Sequence, residues 1–211
     1  MKIAYITSLY PSLSHSFILR EVLGLRRHGV EVETISIRRT PPEHLLAADD
    51  RAEAASTHVV LPPSAAGIAR AFAAAVVTRP RALAGMVRDA LATFGSFGPR
   101  GALWQLFYVA EAVLVWDWCR KNDVRHVHAH FANVGSDVAM LTARLGGTDR
   151  GWSWSFTMHG ATEFFDIGAH RLAAKTKDAR FVACISDFCR SQLMKMVPRA
   201  HWGSLEIVHC G

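Results

Sequence analysis

Three histidines at alternate positions, His126, His128 and His130, lie in one largely apolar run, and a fourth, His159, closes another. Side chains of an extended strand alternate with period two, so the first three share a face. An H-x-H pair on one face can chelate a metal, but the sequence offers no evident third ligand beside it. His130, at the end of its run, is therefore expected to line a cleft, and His126 to face solvent near the strand start. A neutral imidazole at His159 can hydrogen-bond a substrate hydroxyl; a histidine that merely caps the following loop is the competing reading. Glu163 and Asp166 follow closely and could act as base or hydroxyl acceptors. Either could equally cap the next helix.

The first turn segment, Tyr10-Pro11-Ser12-Leu13-Ser14-His15, leads into a helical pattern for which Ser14 is a plausible N-cap. Free backbone N–H groups at such a start could face a phosphate, worth about 0.3–1 kcal/mol through the helix dipole. Neither G-x-G-x-x-G nor G-x-x-x-x-G-K-[ST] occurs, so a dinucleotide or P-loop site has no support. No C-x-x-C pair exists among Cys119, Cys184, Cys189 and Cys210, which argues against both structural zinc and a disulfide framework.

These residues need strands to carry them. Lys2–Thr7, Val30–Ile37, His58–Leu61, Arg125–Phe131, Trp152–Met158, Arg180–Ile185 and Leu205–Val208 carry strand patterns. Helical patterns alternate with them: Ser14 to a stop at Gly29, an Ala-rich stretch from Ser64 to about Phe94 that Pro80 should break or kink, Gly101–Lys121, Val134–Leu145, Ala169–Thr176 and Asp187–Met196. Arg38–Thr57 is polar and is expected to be a loop carrying a short helix. This alternation predicts a doubly wound α/β domain with a mostly parallel sheet of about seven strands and right-handed crossovers. In such a sheet ligands bind outside the carboxyl ends of the strands. The residues just past those ends are His15, His130 with Asn133, His159 with Glu163, and Ser186. They are predicted to share one rim.

Composition limits the alternatives. The chain is 50% hydrophobic and 20% charged, an ordinary globular balance over 211 residues. Lys and Arg exceed Asp and Glu by 24 − 18 = +6, which suits phosphates, a pyrophosphate-linked lipid or an acidic membrane surface. Helix-turn-helix, RNP-type and finger signatures are absent, so nucleic acid is not an expected partner. The most apolar stretches, Ala65–Val77 and Ala102–Trp116, are interrupted by Arg70 and Glu111 and fall short of a membrane span. The N-terminus lacks the pattern of a secretory signal. The expectation is a cytoplasmic protein, soluble or peripheral on the inner face of the membrane.

Five segments occur together, in order: Tyr10–Val22 (YPSLSHSFILREV), Val127–Ala132 (VHAHFA), Ser155–Phe164 (SFTMHGATEF), Cys184–Leu193 (CISDFCRSQL) and Ile207–Gly211 (IVHCG). In this order and spacing they resemble the N-terminal half of family 4 glycosyltransferases of the type that builds colanic acid and other bacterial exopolysaccharides. The resemblance covers nearly the whole chain and is specific to the family, not to a substrate.

It implies a Rossmann-like acceptor-side domain of a GT-B architecture, in a retaining enzyme that takes a nucleotide sugar and a saccharide or lipid-diphosphate-linked acceptor. Such enzymes need no cofactor and no divalent metal for chemistry. The acceptor hydroxyl is thought to attack from the front face, deprotonated by the donor's own phosphate oxygen, so no protein base is required. The resemblance further implies that His159 contacts the donor sugar and that the Ser14–His15 loop approaches the donor phosphates. Ser186 and Arg190 match a segment bordering the cleft. His15 occupies a position that is often Glu, which leaves that loop's details open. The family's donor-binding domain would follow Gly211, so the chain is expected to be a fragment or half of a split enzyme, inactive in transfer by itself. A non-catalytic binding module on the same fold is the other expectation.

Overall fold

A computed structural model of the protein describes residues 2–168 and 170–209. The expected helix start at Ala169 and the terminal Cys210-Gly211 lie outside them. The strands are β1 (Lys2–Leu9), β2 (Glu31–Arg38), β3 (His58–Leu61), β4 (His126–His130), β5 (Ser153–Met158), β6 (Val182–Cys184) and β7 (Leu205–Ile207). Between them run α1 (Ser16–Arg27), α2 (Ala48–Ser56), α3 (Ala65–Thr78), α4 (Pro80–Ala92), α5 (Phe94–Lys121), α6 (Val134–Gly146), α7 (Ala161–Phe165), α8 (Leu172–Asp178) and α9 (Asp187–Met196).

Local chemistry accounts for most boundaries. Gly29 takes a positive φ of 81° and ends the turn after α1, where β-carbons are disfavoured. Ser64 caps α3 by accepting from the Gly67 N–H at 3.1 Å. Pro80 sits in the first turn of α4. Its missing N–H is harmless there, but its ring disfavours helical backbone at the preceding Arg79 (φ −136°, ψ 39°), so the predicted long helix is two helices. Gly98 (φ 67°, ψ −174°), followed by Pro99, puts a kink near the start of α5. Gly146 is required by packing: a β-carbon there would meet the Trp152 ring at 2.1 Å.

Two expectations are corrected. Ser14 does not cap α1. Leu13–His15 form a 3-10 turn, His15 occupies the cap position without a side-chain cap bond, and the helix begins at Ser16. The segment after β5, read as a polar loop, contains the short helix α7, and the next helix begins at Leu172.

The seven strands form one all-parallel sheet in the order β3-β2-β1-β4-β5-β6-β7. This is the Rossmann-like doubly wound arrangement. Right-handed crossovers put the helices reached by stepping from β1 to β2 and β3 on one face, and those that follow the return to β4 on the other. The alternation of each strand serves both sides. Ala4 and Ile6 of β1, Trp154, Phe156 and Met158 of β5, and Val182 of β6 join the larger core. Ile3 and Tyr5 of β1 join a smaller one with Ile18, Leu19 and Val22 of α1. Cys119, Cys184 and Cys189 are free and buried. Among the described residues, no helix is long and apolar enough to cross a membrane.

Candidate functional site

The order of strands reverses between β1 and β4, so their outgoing chains diverge and leave a crevice at the carboxyl edge. The β1 exit is held firmly. The Tyr10 N–H donates to Ser36 Oγ at 2.9 Å, the Tyr10 hydroxyl to Glu53 at 3.1 Å, and Thr40 Oγ1 to the Pro11 carbonyl at 2.9 Å. This anchoring delivers His15, half-buried, to within 5.0 Å of the Phe131 ring. Ser14 beside it is exposed.

At the β4 exit His130 is fully buried and its Nδ1 lies 3.1 Å from Nε2 of His159, which stands half-buried at the β5 exit. The Phe17 and Phe131 rings pack on His159 at 4.8 and 4.5 Å. Phe131 holds a positive φ of 68°, an unfavourable conformation for an aromatic residue, at the point where the chain leaves β4. Burial depresses both imidazoles. His130 falls to about 3, by desolvation first and then by His159 and His15; His159 falls to about 4, by desolvation and then His15. Both rings are neutral at pH 7, able to donate at one nitrogen and accept at the other.

Glu163 settles to one of its two readings. Its carboxylate accepts from the backbone N–H groups of Ala132, of His159 at 3.0 Å and of Gly160 at 2.9 Å, and the residue is 3% exposed. It caps α7 and ties the β4 and β5 exits together, so it positions His159 and is not a base facing the cleft. Asn133 is likewise a cap, accepting from the Gly135 N–H at 3.0 Å to start α6. Ser186 caps α9 through the Cys189 N–H at 3.2 Å, and Arg190 lies one turn into that helix with its Nε buried. Asp166 is exposed beyond α7. The structure thus brings His15, His130 and His159 into contact through shared rings, while Glu163, Asn133 and Ser186 shape the backbone around them.

Of the alternate histidines, His128 and His130 are buried and His126 is half-buried. The strand register pairs His126 with Ser153 and His128 with Ser155. His126 bonds Ser153 Oγ and Ser155 Oγ, each at 2.8 Å; His128 bonds Ser155 Oγ at 2.7 Å and Thr157 Oγ1 at 3.0 Å. Both rings stack near Phe181, and Tyr5 packs edge-on to His128 at 4.7 Å. His126 lines an open cavity, so part of its surface still faces solvent, but hydroxyls one strand away absorb both its nitrogens. This face borders a cavity of about 880 Å³.

Two features escaped sequence reasoning. Lys175 of α8 is fully buried, and its Nζ donates to the Ala132 carbonyl at 2.9 Å, the Asn133 carbonyl at 3.3 Å and Asp137 at 2.9 Å. It pins the β4 exit from beneath. A second cavity, of about 420 Å³, opens near the ends of β1 and β2 and is lined in part by Arg38, Trp104, Tyr108, Glu111 and Arg171. The only sequence signal for it was the charge of Glu111 within an apolar helix. No protein-family model matches the chain, and no curated protein shows a significant match to it.

Proposed function

We propose that this chain is the acceptor-side domain of a retaining glycosyltransferase with a GT-B architecture, acting on a nucleotide sugar and a saccharide or lipid-diphosphate-linked acceptor in bacterial exopolysaccharide or cell-envelope glycan synthesis. The observation that carries the reading is the His130–His159 contact at the switch-point crevice, closed on one side by the β1 exit at His15 and Phe17. It adds to the five sequence segments that resemble family 4 enzymes.

In this reading the acceptor oxygen bonds to the anomeric carbon as the bond from that carbon to the diphosphate breaks. The acceptor proton passes to the departing phosphate oxygen. The protein's contribution is placement. His159, kept neutral by burial, bonds a hydroxyl of the donor sugar, and His130 fixes the ring that does so. The first turn of α1, beginning at Ser16 just past the Ser14–His15 turn, presents its N–H groups to the diphosphate, and its dipole favours the developing charge there.

The smaller cavity supports an anionic, partly apolar acceptor. Arg38 and Arg171 supply positive charge beside Trp104 and Tyr108. Trp104 is 46% exposed and packs near Phe107, itself exposed like Leu103, leaving apolar side chains of α5 open to solvent. That surface, with the arginines of α3 and α4, fits peripheral contact with the inner face of a membrane carrying a lipid-linked acceptor.

The test is a transfer screen with the full-length gene product across nucleotide sugars and acceptors, comparing wild type with His159→Ala. Transfer is expected in the wild type and a loss of at least ~100-fold in the variant, the usual scale for removing a donor group at a reacting centre. Undiminished turnover in His159→Ala refutes the role of the histidine. Saccharide binding without turnover for any donor would favour a non-catalytic module.

A further inference from the structure

We infer that Glu21, His128 and His130 form a binding site for a divalent transition-metal ion of the zinc or cobalt class, on the sheet face behind His159. The three residues come from α1 and β4, and one ligand atom of each lies within 4.8 Å of the others. Glu21 Oε2 stands 3.7 Å from His130 Nε2. That nitrogen is buried with no hydrogen-bond partner among the described residues, on a side chain with no solvent exposure. Buried ring nitrogens ordinarily find a partner, and an ion held against Glu21 supplies one.

The remaining atoms of the three ligands are held as a metal site requires. The Tyr5 hydroxyl donates to Glu21 Oε1 at 2.6 Å, which leaves Oε2 for the ion. Ser155 Oγ meets His128 Nδ1 at 2.7 Å, and His159 Nε2 meets His130 Nδ1 at 3.1 Å. Such outer contacts fix the tautomer and aim the ligating nitrogen. Burial keeps both imidazoles in the neutral form that ligates. Tetrahedral coordination with bonds of about 2.0–2.1 Å puts ligand atoms roughly 3.3 Å apart, so the Glu21–His130 pair at 3.7 Å closes only slightly and no pair closes by more than about 1.5 Å on binding. His128 then exchanges its 3.0 Å bond to Thr157 for the metal. Glu21 and His128 also line the cavity of about 880 Å³, which gives the ion an entry path and leaves room for a fourth, exchangeable ligand.

Two imidazoles and one carboxylate suit zinc, cobalt or iron rather than magnesium or calcium, which prefer oxygen. With the ion on Nε2, the His130 proton must sit on Nδ1 and be donated to His159 Nε2. The ion therefore acts on the crevice through His130, as a positioning element one ring removed from His159. The site stands on its own geometry and does not depend on the transfer reading.

The experiment uses the tag-free full chain stripped with a chelator, titrated with Co²⁺ by visible absorption and with Zn²⁺ by calorimetry. The wild type is expected to bind one ion with an intense tetrahedral cobalt band. Glu21→Gln and His130→Gln are each expected to weaken binding at least tenfold and remove the band, while His126→Ala keeps both. Circular dichroism and thermal melts check that each variant is folded. The Glu21 side chain is 40% exposed, so Glu21→Gln decides the matter if His130→Gln fails to fold. Absence of a cobalt band in the wild type, or binding unchanged by Glu21→Gln, overturns the site and assigns any uptake to other histidines among the eleven.

Discussion

Glu111 and Glu163 are both nearly buried carboxylates, yet their surroundings give them opposite tasks. Glu163 is surrounded by three backbone N–H donors that occupy its carboxylate oxygens. Glu111 Oε2 has no hydrogen-bond partner among the described residues, and burial raises its pKa above the ordinary 4.5 against a smaller lowering by Arg38. A raised carboxyl pKa makes the folded state bind its proton more tightly than the unfolded chain. Both states are protonated well below pH 4.5, so there is no penalty there; as pH rises through 4.5 the unfolded carboxyl ionises first and stability falls, until the folded carboxyl ionises as well. Glu111→Gln removes this loss. Denaturant melts between pH 4 and 7.5 are expected to show the variant gaining on wild type as pH rises, by about 1 kcal/mol, the scale of an unsatisfied buried polar group. A constant difference across that range would mean that Glu111 is paired in solution. At this scale the sequence showed which residues carry charge, and the neighbours supplied by the fold decided what each charge does.

At the scale of elements, α8 and α6 hold the β4 exit through the Lys175–Asp137 pair. Burial works against both charges, pulling Lys175 down and Asp137 up, while their 2.9 Å contact works for them. Such a pair contributes little net stability, but losing one partner strands the other. Lys175→Met is expected to cost about 3–5 kcal/mol in urea unfolding, and adding Asp137→Asn should recover part of it. Additive losses would show that the two do not interact. Some element boundaries were legible because their causes are local, Gly29 as a stop and Pro80 as a break, whereas the caps Ser64 and Ser186 emerged only with the structure and Ser14, read as a cap, is not one. The short α7 was not legible either. Its five residues carry too few periods to register, and its start is organised by Glu163 reaching back to Gly160 and across to Ala132.

For the whole molecule, the strand order separates a well-flanked centre from weak edges. β1, β4 and β5 have partners on both sides and helices packed on them, whereas β3 and β7 are edge strands of four and three residues. Native-state amide exchange is therefore expected to be slowest in β1, β4 and β5, and fastest among the strands in β3 and β7. Equal protection across all seven would contradict the edge positions. The sequence by itself determined the alternation of strands and helices, and with it the parallel doubly wound sheet, because periodicity and turn chemistry are written over a few residues. It also marked His130 and His159 as strand-end residues. Only the tertiary structure decided that these two rings touch, that hydroxyls of β5 saturate His126 and His128, and that Glu21 meets His128 from 107 residues away (128 − 21). Such contacts depend on strand register and on the face α1 covers, and a one-residue slip of either would send every one of these side chains elsewhere.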